Sequence, residues 1–512
     1  MQEFKPDPPE GFPDSRILVL KTVVALAGAV LMALEILGSR VLAPSYGSSV
    51  YVWGSLISTF LTALALGYAL GGRLADRRPS IGVLSIVLSV GAVLIVPCVV
   101  WGGALLRALV GSGWDARGST LLASIVLFLP ASVAMGMVTP FAVRIAIRQM
   151  EAAGSVAGGY SALSTAGSIL GTLLTTFVLM PAFPVNSLLL GLAATLVLCA
   201  LLLVRGRASV IIVCAAAAAC GVAGFARPGA IGNERVLLQK DTAYHHILVT
   251  QLLDTRWLRF DNLAQSAINL EHPEKPVVPY EKGLPLAIVM RPRIESACMI
   301  GLGGGDAVRT LTRIRPNLVI DSVEIDPVVR DVAREFFLYR ESERVRTTIE
   351  DGRTFLARAG QPYDLIILDA FNSTGVPFHL TTREFFQTLH GRLSPHGVFA
   401  ANFIANLMGK DGRLFWATYQ TIRRQFGQVY LVNSDISAGR ASVSGTVLVF
   451  ATVSADPLDL DLIRRNAREL SAKWKLPSLA DIASLLIHSP EPPPGTPELT
   501  DAYAPVEALQ NF

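Results

Sequence analysis

Between residues 17 and 226 lie seven apolar runs, at about 17–38, 51–71, 81–101, 119–142, 157–180, 184–204 and 209–226. Each is close to the ~20 residues that an α-helix needs to cross a bilayer. No other feature restricts the fold so strongly. The overall composition, 51% hydrophobic and only 16% charged, is skewed by these runs. The first run is too long for a cleaved signal, and further spans follow it in place of a small-residue cleavage pattern. The chain therefore reads as a short tail (1–16) and a polytopic α-helical membrane domain (17–226, about seven helices). The 286 residues that remain have room for one α/β domain.

Charges within the spans are sparse. Lys21 is near enough to an end to snorkel. Glu35 lies deeper, where an ionisable group is a functional candidate, unless it pairs with Arg40 in an expected loop Gly38–Pro44. The fifth span carries Ser161, Thr165, Ser168, Thr172 and Thr175 at helical spacing. It also contains Gly167-Ser-Ile-Leu-Gly171, and the second span contains Gly67-Tyr-Ala-Leu-Gly71. Close helix packing explains these patterns better than a transport path. Arg73, Arg77, Arg78, Arg144, Arg148, Arg205 and Arg207 share one side, which the positive-inside rule makes cytoplasmic.

Residues 1–230 hold 14 Lys and Arg against 8 Asp and Glu, whereas the rest hold 30 against 32. The net charge of +4 thus belongs to the membrane loops, and the remainder has no basic stripe for nucleic acid. Of five cysteines, Cys98, Cys199, Cys214 and Cys220 fall in apolar spans and Cys298 beyond them, so no disulfide framework is expected. His245 and His246 alternate on a predicted strand, pointing to opposite faces, with no Cys or His cluster nearby; no metal site is expected.

Beyond the spans, Ala297–Ile300 reads as a buried strand and Gly301, Gly303, Gly304 and Gly305 as a tight turn. Ala307–Ile314 reads as a helix and Leu318–Val323 as the next strand. Glycine suits a turn that needs positive φ and close ligand approach. The helix N-terminus that follows favours negative charge or a polar ligand. Glu324 lies twenty residues past Gly304, the spacing at which an acid accepts hydrogen bonds from ribose hydroxyls. Arg346–Ile349 is a further strand that places Asp351 and Gly352 beside an adenine edge. The strand from Tyr363 delivers Asp369 to the same sheet edge, and Thr381-Thr-Arg-Glu384 fits a capping box. The domain is thus Rossmann-like, spanning 286–455. A small β-rich lead-in (227–285) precedes it. After it come an amphipathic helix near 457–475 and a loose Pro-rich tail, Pro490–Pro497, within 456–512.

Taken in order, Gly303-Gly-Gly-Asp306, Glu324-Ile-Asp326, Asp351-Gly352 and Asp369 resemble the aminopropyltransferases, the spermidine and spermine synthases. Upstream, Tyr244-His-His-Ile-Leu-Val and Phe260-Asp-Asn-Leu-Ala-Gln265 resemble two further family motifs, and Tyr280-Glu281 stands at the family's active-site Tyr. The resemblance covers about 235–405. The fusion to spans is similar to the multi-span, spermidine-synthase-like membrane branch. It implies an S-adenosylmethionine-dependent-transferase type of Rossmann-like domain. Its co-substrate would be decarboxylated S-adenosylmethionine and its partner a polyamine or other small amine.

By resemblance, Asp369 orients and deprotonates the attacking amine with Tyr280. Asp306 holds the ammonium of the aminopropyl arm and repels the carboxylate of intact S-adenosylmethionine. Glu324 takes the ribose, Asp351 and Gly352 the adenine, Gln265 and His245 the cofactor, and Gly303, Gly304 and Gly305 line it. Three departures bear on the reading. Asn372 replaces the family's second acid at the amine site, which weakens the case for putrescine, His245 replaces a Gln, and Asn262 replaces a Gly.

The rivals are a methyltransferase or lyase using the intact cofactor, and a non-enzymatic transporter or sensor of polyamines or adenosine ligands. A homodimer is implied by resemblance alone. The expected location is a bacterial-type inner membrane. If 209–226 crosses, the α/β domain lies outside; a cytosolic cofactor favours the cytoplasmic side.

Overall fold

The computed structural model describes residues 14–46, 50–112, 115–147, 153–203, 234–242, 244–261, 263–358, 360–370, 377–405, 412–433, 445–504 and 509. The chain divides into two compact units, Met1–Gly229 and Ala230–Phe512.

The first unit contains α1 (Asp14–Tyr46), α2 (Val50–Arg77), α3 (Ile81–Val100), α4 (Gly102–Gly111), α5 (Ala116–Gly136), α6 (Val138–Ala146), α7 (Ala153–Leu174), α8 (Met180–Ala182) and α9 (Val185–Leu203). A π-helical turn, Thr175–Leu179, joins α7 to α8. Among the described residues, six segments are long and apolar enough to cross a membrane: Arg16–Tyr46, Val50–Arg77, Ile81–Val100, Arg117–Ala146, Ala153–Leu179 and Val185–Leu203. The seventh expected span, 209–226, lies outside the described residues. The loop expected over Gly38–Pro44 is helix instead, because α1 runs on to Tyr46. Pro44 lies near its end, and the residues before it are apolar enough to continue the span.

The two glycine pairs are packing points. A Cβ on Gly67 would lie 2.8 Å from the Cα of Gly136, and one on Gly167 would lie 2.0 Å from the carbonyl oxygen of Ala25. Only hydrogen fits where backbones approach this closely. Three of the five hydroxyls expected on the fifth span are bonded to backbone carbonyls. Thr165 and Thr172 donate to carbonyls one turn back, and Ser168 donates to Gly28 O on α1 at 3.2 Å.

The second unit opens with a four-stranded antiparallel sheet in sequential order, β1 (Arg235–Asp241), β2 (His246–Leu252), β3 (Thr255–Phe260) and β4 (Leu263–Asn269). Two short helices, α10 (Pro279–Gly283) and α11 (Leu286–Met290), lead into β5 (Ser296–Ile300), α12 (Asp306–Ile314), β6 (Val319–Glu324) and α13 (Pro327–Phe336). Then come β7 (Val345–Ile349), α14 (Gly352–Ala357), β8 (Tyr363–Leu368), α15 (Arg383–Gly391), β9 (Leu393–Ala405) and α16 (Arg413–Gln425). β10 (Gln428–Asn433), β11 (Gly445–Thr452), α17 (Leu460–Trp474), α18 (Ser478–Ser484) and β12 (Ile487–His488) complete the unit.

The second sheet has the order β12-β10-β11-β9-β8-β5-β6-β7. Strands β5 to β9 pair in parallel, whereas β9, β11, β10 and β12 pair antiparallel. From β5 the chain first builds β6 and β7 on one side, then crosses to β8 on the other. A crevice therefore opens at the carboxyl ends of β5 and β8, where open α/β sheets bind ligands. The apolar strand Leu365–Leu368 is buried to 1% exposure or less, as helices on both faces require.

Two local expectations change. Thr382, not Thr381, caps α15 by accepting from Phe385 N, and Glu384 accepts from the backbone of Asp501. The expected capping box is therefore not formed. Nor is the tail loose where it is described. Tyr419 donates to Pro490 O at 2.9 Å, Leu499 N donates to Thr421 at 2.9 Å, and Asp501 accepts from Arg353 and Thr382. Proline removes donors from this segment, but its carbonyls and acids still bind the helices beneath.

Candidate active site

The loop after β5 begins the site. Gly301 has φ +92°, and a Cβ there would sit 2.2 Å from the carbonyl oxygen of Asp369. The end of β8 thus lies directly against the glycine loop, fixed by Asp369 N donating to Ile300 O at 2.9 Å. At Gly305, φ is +77° and a Cβ would meet the Tyr339 ring at 2.5 Å. Gly304 N donates to the Ser266 hydroxyl at 2.9 Å, so β4 buttresses the turn Gly303–Gly305.

Glu324 ends β6 and is 6% exposed. Its two oxygens accept from Leu302 N at 3.0 Å and Asp326 N at 2.9 Å, which aims the carboxylate across the loop. Burial raises its pKa to about 7, against the opposing pull of these amides. Asp326 caps α13 through Val328 N and accepts from Thr242 at 2.5 Å. Thr242 also accepts from His245 N, which brings His245 to this corner with its ring stacked on Phe260 at 4.2 Å. Gln265 on β4 has a buried amide nitrogen that finds no partner among the described residues.

Asp351 caps α14 through Thr354 N at 2.9 Å, and its second oxygen meets His379 at 3.0 Å. Burial opposes ionisation here, but the Thr354 amide and His379 prevail and hold the carboxyl below its usual range. Gly352 packs on β5, where a Cβ would lie 2.4 Å from a methyl of Ile300.

The acids converge at the carboxyl ends of β5 and β8. Tyr280 on α10 is hydrogen-bonded to Asp369, and burial drives its pKa well up. Asp369 is itself raised by burial, while Asn402 and Tyr280 pull it back down. Asn402 lies on β9 one step past the Leu368–Ala401 pair and donates to Asp369 at 3.0 Å. Asp306 opens α12 at 2% exposure. One of its oxygens is ion-paired with Arg309, and the other finds no partner among the described residues. Burial raises Asp306 to about 6, less than it would without Arg309. Arg309 is locked in turn by Pro273 O and Phe337 O.

Glu281 stands next to Tyr280 at 1% exposure, with both oxygens unpartnered among the described residues. Burial first, then Asp306 and Asp369, raise its pKa well above the usual range. The crevice thus brings together Tyr280, Glu281, Asp306, Glu324 and Asp369, and Asn372 lies outside the described residues. Asn402 was legible only as a lone polar residue in an apolar strand, and nothing local in the sequence marked Glu281 as buried.

The chain matches the family model of the spermine/spermidine synthase domain over residues 285–411. It is 32% identical over 211 residues to a polyamine aminopropyltransferase of Vibrio vulnificus, spanning 40% of this chain and 69% of that protein. It is 29% identical over 226 residues to a probable polyamine aminopropyl transferase of Bifidobacterium longum, spanning 42% and 48%. A solved probable spermidine synthase from Corynebacterium glutamicum aligns with TM-score 0.42 and 18% identity, covering 54% of this chain and 97% of that one. On the Vibrio match, the chain belongs to the polyamine aminopropyltransferase (spermine/spermidine synthase) family of transferases.

Proposed function

We propose that the chain transfers the aminopropyl group of decarboxylated S-adenosylmethionine to an amine and releases methylthioadenosine, and that its first unit sits in a bilayer. The observation that carries this reading is the group of three acids, Asp306, Asp369 and Glu281, whose buried oxygens include three without a partner among the described residues. Unpaired buried carboxylates are costly. A donor with an ammonium arm and a sulfonium, together with a cationic acceptor, supplies the missing charge. A carboxylate on the donor would meet Asp306 and be repelled.

In this reading Glu324 holds the ribose hydroxyls, Asp351 and Gly352 the adenine, Gln265 the donor's tail and His245 a further donor contact, over the turn Gly303–Gly305. Orphaned Gln265 and Asp306 atoms fit that ligand. Asp369 accepts a proton from the attacking amine, held in line by Tyr280 and Asn402. The C–N bond forms as the C–S bond breaks, and the electron pair passes to sulfur, giving a neutral thioether. Sulfonium leaves readily, so orientation and a neutral amine are the main needs. Glu281 replaces the charge lost at Asn372 and receives the acceptor's distal ammonium. The acceptor is therefore a diamine or longer polyamine, despite Asn372. The catalytic unit faces the cytoplasm, where its donor is made, and the chain lies in an inner membrane, as a dimer by analogy with its family.

The test is chromatography of nucleoside products from purified protein given decarboxylated or intact S-adenosylmethionine and a panel of amines. Amine-dependent methylthioadenosine from the decarboxylated donor, lost in Asp369→Asn, is expected. Methylthioadenosine without amine would mean a lyase, and S-adenosylhomocysteine a methyltransferase. Ligand binding without turnover would favour a sensor or transporter.

A further inference from the structure

We infer that the first unit holds a second amine site, in which Glu35, Thr59 and Ser132 bind a primary ammonium group within the membrane. The inference rests on the reading that this unit spans a bilayer, and not on the transfer reaction. Glu35 lies inside the continuous helix α1, within the span Arg16–Tyr46. Arg40, the expected partner, is five residues on and so about 140° around the helix. Neither an ion pair nor a hydrogen bond joins Glu35 to any side chain among the described residues.

The level of Glu35 follows from helix register. The rings of Phe60 on α2 and Phe128 on α5 stack at 6.1 Å, and Gly67 packs on Gly136, so α2 and α5 run in the same direction. A Cβ on Gly38 would lie 2.9 Å from Leu56 and 3.4 Å from Phe128, which places α1 against both. Gly38 and Leu56 lie eight and six residues from the ends at Tyr46 and Val50, so α1 and α2 run antiparallel. Three residues back along α1, from Gly38 to Glu35, therefore corresponds to about three or four residues forward on its neighbours. These positions are Thr59 on α2 and Ser132 on α5.

Both hydroxyls are at most 2% exposed and have no partner among the described residues. Other hydroxyls of the unit, on Ser89, Ser119, Thr165, Thr172 and Thr195, donate to the carbonyl one turn back. Thr59 and Ser132 forgo that usual arrangement. The remaining orphaned hydroxyls of the unit, on Tyr46, Ser124 and Tyr160, lie at other levels.

Helix α7 adds an independent mark. Gly167 lies against Ala25 and Gly171 against Ala29, so α7 runs with α1 and its π-helical turn Thr175–Leu179 is level with Glu35. Such turns recur at functional sites. A primary ammonium has three N–H donors, matching one carboxylate and two hydroxyl acceptors. Calcium and magnesium take six or more oxygens, and zinc sites are built mainly on His and Cys.

The experiment uses the full chain in lipid nanodiscs, a hydrophobic carbodiimide that modifies protonated carboxyls, and peptide mass spectrometry of Glu35. Labelling is expected, slowed at least tenfold by n-butylammonium and unaffected by tetramethylammonium, which has no N–H. In Thr59→Val/Ser132→Ala, checked for folding by its elution volume, labelling should persist while protection is lost. Labelling that n-butylammonium does not slow, or protection retained in the double variant, would overturn the site. Equal protection by sodium would overturn its assignment to an ammonium. Modification by a water-soluble carbodiimide alone would instead show that α1 is outside the bilayer, the separate failure of the membrane reading, and would overturn the site with it.

Discussion

Replacing Asn402 by leucine removes one hydrogen-bond donor from Asp369 while nearly preserving volume. The bond is 3.0 Å long and the asparagine is 4% exposed, so water does not readily take its place. A hydrogen bond to an ionised group contributes about 1.5–3 kcal/mol. At about 1.4 kcal/mol per pKa unit, its loss raises Asp369 by about one to two units. Asp369 already lies above the usual range because of burial, and Tyr280 remains as its other donor.

The assay is the pH dependence of kcat at saturating acceptor, read as nucleoside product, so that ionisation of the free amine does not enter. If Asp369 acts as the base, the acid limb should move up by one to two units. The rate below it should fall about tenfold to a hundredfold, and the alkaline plateau should largely recover. Stability follows the same sign. A carboxyl whose folded pKa is raised contributes stability below its unfolded pKa and loses it as pH rises through the folded one, so the variant loses more by neutral pH. A uniform drop in kcat with an unmoved acid limb would refute the reasoning and leave Asn402 a role in shape alone.

Glu281→Gln should raise KM for diamines about tenfold or more while leaving KM for a monoamine unchanged; equal losses for both would remove Glu281 from the distal subsite. The same variant should be more thermostable at neutral pH and lose that advantage toward pH 4, because the wild-type carboxyl favours the fold only when protonated. Glu324, raised to about 7 in the free protein, must be ionised to accept from ribose hydroxyls. Donor binding near pH 6.5 should therefore release protons, seen by calorimetry in buffers of different ionisation heat and absent by pH 9; no buffer dependence would contradict this role. Gly301→Ala, at φ +92° and against the Asp369 carbonyl, should cost about 1–3 kcal/mol of stability and most activity, and a denaturation midpoint unchanged from wild type would show that the loop tolerates a side chain.

Local chemistry is enough to specify the glycine turn, the acid that closes β6 and the apolar helices of the first unit. Positive φ, strand burial and long apolar runs each select residues within a short window, and Gly301, Glu324 and the six described long apolar helices are legible for that reason. The acceptor site is different. Asn372 reads as a lost charge, and only the approach of α10 to the ends of β5 and β8 sets Glu281 beside Asp306 and Asp369. Asn402 gains its role from parallel register with β8, a relation between strands far apart in sequence. Gly and Pro, as local breakers, predict a loop over Gly38–Pro44 and a loose tail, signals that helix continuity and contacts with α15 and α16 override. Glu35 was visible as a charge in an apolar run, but only the packing of α1 against α2 and α5 sets it level with two unpartnered hydroxyls. Sequence settles conformation and burial preference residue by residue. Which charges meet, and which are left unpaired, is decided when distant elements close on one another, because electrostatic energy depends on separation in space and on the exclusion of water.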